Sequence, residues 1–317
     1  MQFTSLFRPE NWLDRTSTYV LRGICMLIIV LGHVGSSSTD PLFESDAYDR
    51  FCDATGFSSW GMWATGMFFF LSGYGMTLSL QRQGKTTWSY VGSKLIKLFE
   101  GFLLLWGIYL IVFLLFDRSQ LTPQLLIDFI TLSMPLGVDA WFFKVILGVY
   151  ALFFLLFAIP LGNRIRAIVF SIVCLIYYIV MRQLGFGPWW FASSPCIALG
   201  MWFAYGAEWL RRHPLPQILA LFLLLVSSHF STAAFLPPLS FTLCLVLLTW
   251  LVPLSCRLLQ FIGDNSLHFY FLEEPVYHYL TVSLAFCYPL YVISTYAVIL
   301  LLVWGYTTAK KQIKERT

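Results

Sequence analysis

An arginine and a histidine, Arg22 and His33, stand eleven residues apart in an otherwise apolar run, LRGICMLIIVLGHVG. Eleven helical residues complete about three turns plus roughly 20°, so the two side chains share one stripe about 16 Å apart along the axis. A cation near the centre of a membrane helix costs roughly 2.5–3.5 kcal/mol on insertion scales, so ionisable groups at that depth mark functional sites facing a polar interior. A neutral imidazole accepts a proton near neutral pH, which is the property of a general base. Taken singly, Arg22 is a boundary arginine that snorkels and His33 an interhelical hydrogen bonder. Their shared face points to a joint role.

A second group lies in IGDNSLHFYFLEEPVYHYL, where Asp264 or Asn265 is expected to cap a helix. Glu273 and Glu274 then fall roughly 12 Å into that helix. Glu274 and His278 stand one turn apart on one face, beside Pro275. Two adjacent carboxyls in lipid need water, partners or protonation. No ligand spacing supports a metal held by Glu273, Glu274, His278 and His33, and none is expected. In MFFFLSGYGMTLSL, Ser72, Gly73 and Gly75 interrupt an aromatic run and let helices approach closely. Ser72 lacks the frame of a serine nucleophile. Arg82, Lys85, Lys94 and Lys97 precede Glu100. Topology explains this basic cluster first, and it also suits the phosphates of a cytoplasmic ligand.

These residues must be positioned by a bundle in lipid. With 317 residues, 58% hydrophobic and 11% charged, the chain is too apolar for a soluble domain. The net charge of +4 reflects topology, and nucleic acid is not implied. Seven scattered cysteines form no disulfide or zinc framework. No cleaved signal peptide is expected. About 20 apolar residues per span place ten helices near 19–35, 60–80, 95–116, 142–160, 165–184, 190–210, 215–233, 236–255, 266–286 and 289–308. Fifteen cations on the side holding the termini, against Arg50, Arg118, Arg182 and Lys144 on the other, put both ends in the cytoplasm. The expected fold is an all-α polytopic integral membrane bundle. It forms one domain over 1–317, with short cytoplasmic tails at about 1–18 and 309–317. The outer loops, about 36–59 and 117–141, read as ordinary solvated connections.

Together these segments resemble the acyltransferase-three family of integral-membrane O-acetyltransferases. Four stretches carry the resemblance: LRGICMLIIVLGH with its Arg22 to His33 spacing, FFFLSGYGM, AWFFKVILGVYALFF and NSLHFYFLEEPVY. Two positions depart from the family pattern. Lys94, Lys97 and Glu100 stand where the family has an arginine-rich stretch and a proline, and Glu273 stands at a common histidine position. The resemblance implies transfer of acetyl from cytoplasmic acetyl-CoA to a hydroxyl of an extracytoplasmic carbohydrate or lipid-linked glycan of the cell envelope. It implies no bound cofactor and a place in the lipid bilayer of a bacterial inner membrane. His33 would take the acceptor proton or carry the acyl group, and Arg22 and Glu273 would join it in catalysis. Lys94, Lys97 and Arg82 would bind the donor, while Ser72, Gly73, Glu274 and His278 line the pocket. The competing class is a proton-coupled transporter using Glu273, Glu274 and His278. Its expected sign, paired half-sequence repeats, is not evident in the sequence.

The charge asymmetry yields a direct test. On intact cells an impermeant thiol reagent should modify Cys52 and spare a cysteine placed at Lys311, each in an otherwise cysteine-free chain; labelling at position 311 refutes the orientation.

Overall fold

The computed structural model describes residues 10, 12–36, 59–82, 87–133, 141–284 and 288–316. Cys52 and most of the 36–59 loop lie outside them. Among the described residues all regular structure is helical. The chain forms two compact units, Met1–Leu78 with Val173–Thr317, and Ser79–Ile172. In chain order the helices are α1 (Arg15–Ser36), α2 (Trp60–Arg82), α3 (Thr87–Phe116), α4 (Gln124–Ile130), α5 (Trp141–Ala158) and α6 (Asn163–Gln183). There follow α7 (Pro195–Tyr205), α8 (Ala207–Arg212), α9 (Leu215–Phe230), α10 (Leu236–Leu251), α11 (Arg257–Asp264), α12 (Ser266–Leu284) and α13 (Tyr288–Arg316).

In the first unit, α1 starts four residues earlier than its apolar run. The Asp14 carboxylate accepts the Ser17 amide at 2.7 Å, satisfying one of the orphan donors of the first turn. Just before it, Leu13 takes a positive φ of 47° and donates its amide to the Thr249 hydroxyl at 3.2 Å. Trp12 is thereby turned into the core, stacked on Trp250 at 5.4 Å and on Phe203 at 6.3 Å, with Tyr74 edge-on at 6.3 Å. Within the segment expected as a tail, Trp12, Leu13 and Ser17 are buried.

Two glycine contacts set the helix spacing. A Cβ on Gly23 would strike the Leu259 carbonyl, and one on Gly263 the Tyr19 carbonyl, so α1 and α11 touch backbone to backbone. Gly73 against Ile197 and Gly200 against Phe70 do the same for α2 and α7. Small residues at such crossings gain the packing that associates helices in lipid.

Among the described residues, five stretches are long and apolar enough to cross a membrane: Arg15–His33, Ser89–Leu115, Trp141–Ala158, Asn163–Gln183 and Leu290–Gln312. Leu215–Phe230 and Leu236–Leu251 are shorter apolar helices. The other expected spans form helices too, but α2 and α12 are diluted by polar residues such as Ser72, Thr77, His268 and Glu273. The expected 190–210 helix is divided: Pro195 opens α7, and Gly206 closes it by donating its amide to the Trp202 carbonyl at 3.0 Å. The connection expected after residue 255 contains α11. Asn265 does not cap α12 with its side chain. Its amide nitrogen Nδ2 donates back to the Phe261 carbonyl at 2.9 Å and closes α11 instead.

In the second unit, α3 and α5 meet through aromatic rings. Phe143 stacks on Phe102 at 4.7 Å and meets Phe99 edge-on at 5.5 Å. Because Phe143 lies in the first turn of α5, that helix starts opposite the middle of α3 rather than at its far end. Phe153 and Phe170 join α5 to α6 at 4.9 Å. Arg166 then donates to the Leu156 and Ile159 carbonyls, both at 3.1 Å, and closes the C-terminal end of α5.

Gly263→Ala should destabilise the chain by about 1–3 kcal/mol, since its new methyl meets backbone that cannot move aside. Gly75→Ala meets open space and should be neutral or mildly stabilising. Thermal unfolding of the two purified variants in detergent compares them; equal melting points would show that α1 and α11 are not held by this contact.

Candidate functional site

His33 sits in the last turn of α1, and Glu273 in the third turn of α12, 240 residues later. The fold brings His33 Nδ1 within 3.0 Å of Glu273 Oε1. The carboxylate is sealed, at 2% exposure, whereas the imidazole remains 40% exposed. A carboxylate oxygen accepts, so Nδ1 carries the proton and Nε2 is the unprotonated ring nitrogen. Glu273 Oε2 is buried and meets no hydrogen-bond partner among the described residues. The bond to His33 is therefore the principal satisfaction of this carboxylate.

Three neighbours fix the height of α1. Tyr296 of α13 donates its hydroxyl to the Leu27 carbonyl at 2.6 Å, between Arg22 and His33. Gly32 lies against Gly61 of α2, an added Cβ there coming within 3.7 Å. At the other end Gly23 rests on α11. α1 is continuous between Arg22 and His33, which keeps them on one stripe about 16 Å apart.

Arg22 is half-buried and its guanidinium carbon lies 5.8 Å from the Tyr19 ring centroid. Arg15 approaches the same ring at 5.7 Å. No carboxylate among the described residues pairs with Arg22. One end of α1 therefore gathers two guanidinium groups around an aromatic ring, and the other end holds an imidazole backed by a carboxylate. Arg15 was not singled out from the sequence, although its spacing carried a signal: seven residues are two turns less about 20°, so Arg15 precedes Arg22 on the same stripe.

Within the first unit, the expected site residues Ser72 and Gly73 fall apart from the His33–Glu273 pair. Gly73 is closed against Ile197. Ser72 is half-buried, eleven residues or about 16 Å along α2 from the Gly61–Gly32 contact, and two residues from Tyr74, which meets Trp12. Ser72 thus lies toward the arginine end of α1. Lys94 and Lys97 belong to α3 in the second unit, Lys94 with its ammonium 5.5 Å from the Tyr90 centroid and Lys97 exposed. Arg82 ends α2, and Glu274 and His278 lie in α12, but the side chains of these three are outside the described residues.

A protein-family model described as an acyltransferase domain, that of the acyltransferase-3 family, matches residues 10–308, a stretch that includes Arg15, Arg22, His33 and Glu273. No curated protein and no solved structure matches the chain.

Proposed function

The chain belongs to the acyltransferase-3 family and is a membrane acyltransferase, and from that premise we propose that it moves acetyl from cytoplasmic acetyl-CoA to a hydroxyl of an extracytoplasmic carbohydrate or lipid-linked glycan. The observation that carries this reading is the 3.0 Å bond between the partly exposed His33 imidazole and the buried Glu273 carboxylate. In the proposed step His33 Nε2 takes the proton of the acceptor hydroxyl as the oxygen bonds to the acetyl carbonyl carbon. The carbon–sulfur bond breaks, coenzyme A leaves as the thiolate, and the proton on His33 returns to that sulfur. Glu273 holds the imidazole in the required tautomer and stabilises the imidazolium that forms, acting as a positioning residue.

The donor carries its phosphates at one end and its thioester at the other, joined by a long flexible arm. Arg15 and Arg22 offer planar, two-pronged donors suited to phosphate. Their separation from His33 along α1, about 16 Å for Arg22 and about 27 Å for Arg15, matches that division of the donor. Ser72, Glu274 and His278 line the path. The reading includes about ten membrane passages, both termini in the cytoplasm, and residence in a bacterial inner membrane. The donor then reaches the arginine end from inside and the acceptor reaches His33 from outside.

Removing the imidazole leaves the buried Glu273 carboxylate without its donor, so His33→Ala should impair folding as well as turnover. His33→Gln keeps a donor for that carboxylate and removes the base. It should express normally, bind acetyl-CoA and lose roughly 10²–10⁴ in transfer rate; labelled acetyl transfer at a normal rate refutes the assignment. Glu273→Gln should lower turnover more than donor affinity.

For the donor end, Arg22→Lys should weaken acetyl-CoA binding because it keeps the charge and loses the fork. Equilibrium binding on purified protein decides, with full affinity in Arg22→Lys counting against a donor role.

A further inference from the structure

The connection after α3 does not behave as a solvated loop. Its described part, 117–133, turns back along α3: Phe129 of α4 stacks on Phe102 at 5.9 Å and meets Trp106 edge-on at 5.3 Å. Both partners belong to the candidate span Ser89–Leu115, thirteen and nine residues before its end. At 1.5 Å per residue Phe129 is therefore roughly 14–20 Å inside that end, at the depth of the hydrocarbon.

At that depth α4 shows an apolar surface. Leu126, Ile127 and Ile130 are 64%, 52% and 68% exposed. On a helical wheel Leu125 to Ile127 with Phe129 and Ile130 cover about 200°, leaving Gln124, Asp128 and the following Thr131 a narrow polar strip. That strip bonds to itself and to its neighbours. Gln124 Nε2 donates to Asp128 Oδ1 at 2.8 Å, Thr131 donates to the Ile127 carbonyl at 2.8 Å, and Lys144 Nζ donates to the Ser133 hydroxyl at 3.3 Å. Upstream, the Asp117 carboxylate accepts from Ser119 and Gln120, and Arg118 closes the end of α3 on the Leu114 carbonyl. These bonds hold the Asp117 carboxyl below its ordinary range, Ser119 contributing most. The exposed apolar face continues that of α3, where Leu103, Ile111, Leu114 and Leu115 are equally uncovered.

We propose that α4 is a membrane-embedded amphipathic helix whose Leu126, Ile127 and Ile130 face is covered by the acyl chains of the surrounding bilayer. Acyl chains fit because the surface continues a lipid-facing span and because polar groups close on one another, as backbone and side chains must where water is absent. The inference needs only the membrane location and is independent of acetyl transfer.

Spin labels at positions 126, 130 and 111, and at the exposed Glu208 as reference, would be placed one at a time in the full chain in phospholipid vesicles, native cysteines replaced. Relaxation by oxygen should exceed relaxation by a water-soluble nickel chelate at 126 and 130, as at 111, and the order should reverse at 208. Nickel accessibility at 126 and 130 equal to that at 208 overturns the proposal. So does protection from both agents, which would mean a protein partner such as a second copy. A benzophenone amino acid at Leu126 in the otherwise native chain gives a second readout: lipid adducts by mass spectrometry support the embedding, and protein cross-links alone refute it.

Discussion

A carboxylate sealed in a low-dielectric bundle must be met by a donor, and Glu273 is met by His33. That bond spans 240 residues, so the placement of α1, α11 and α12 serves it. α1 is fixed in height by the Tyr296 hydroxyl and against α11 by Gly23 and Gly263, where no side chain intervenes to blur the distance. A longer residue at either glycine would push the helices apart and move His33 with them. The buried partner also explains how the imidazole is held: Nδ1 is committed to Glu273 while the side chain stays partly exposed.

The positions of the long helices were legible in the sequence because burial in lipid leaves a continuous apolar run. Their ends and irregularities were not. α1 begins at Arg15 because Asp14 caps it and Trp12 is drawn into an aromatic cluster with Trp250 and Phe203, a tertiary contact with no local signal. α11 is eight residues long, too short for periodicity to distinguish it from a connection. Its existence depends on Gly263 fitting against Tyr19. α4 was hidden for a related reason. Its apolar residues are few, and only the Phe129 contacts with Phe102 and Trp106 reveal that they lie beside a span.

The site divides in the same way. The Arg22 to His33 spacing is local, and one helix converts it directly into a shared stripe. Arg15 belongs to that stripe and could have been found by the same count. That Glu273 meets His33 could not be read from the sequence, since the contact depends on the rotation of α12 about its axis. Ser72 and Gly73 illustrate the reverse. They stand in a conspicuous motif, yet Gly73 is fully accounted for by the close approach of Ile197, and Ser72 lies toward the far end of α1 from the imidazole.

Polar groups at membrane depth are handled here in two ways, and the difference separates structure from chemistry. Around α4 polar side chains are satisfied by near neighbours: Gln124 by Asp128, Thr131 by Ile127, Arg118 by Leu114. Such bonds form within a single segment, cost little order, and leave no group turned toward a ligand. The His33–Glu273 pair joins two distant helices, and Arg22 holds a guanidinium with no described carboxylate beside it. Maintaining a half-exposed imidazole on a buried carboxylate and a guanidinium unneutralised by that set demands that several helices be placed together. A membrane protein can meet its hydrogen-bonding needs locally, as α4 does, so the groups retained in the costlier arrangement, His33 with Glu273 and the guanidinium groups of Arg15 and Arg22, are the ones on which the proposed chemistry rests.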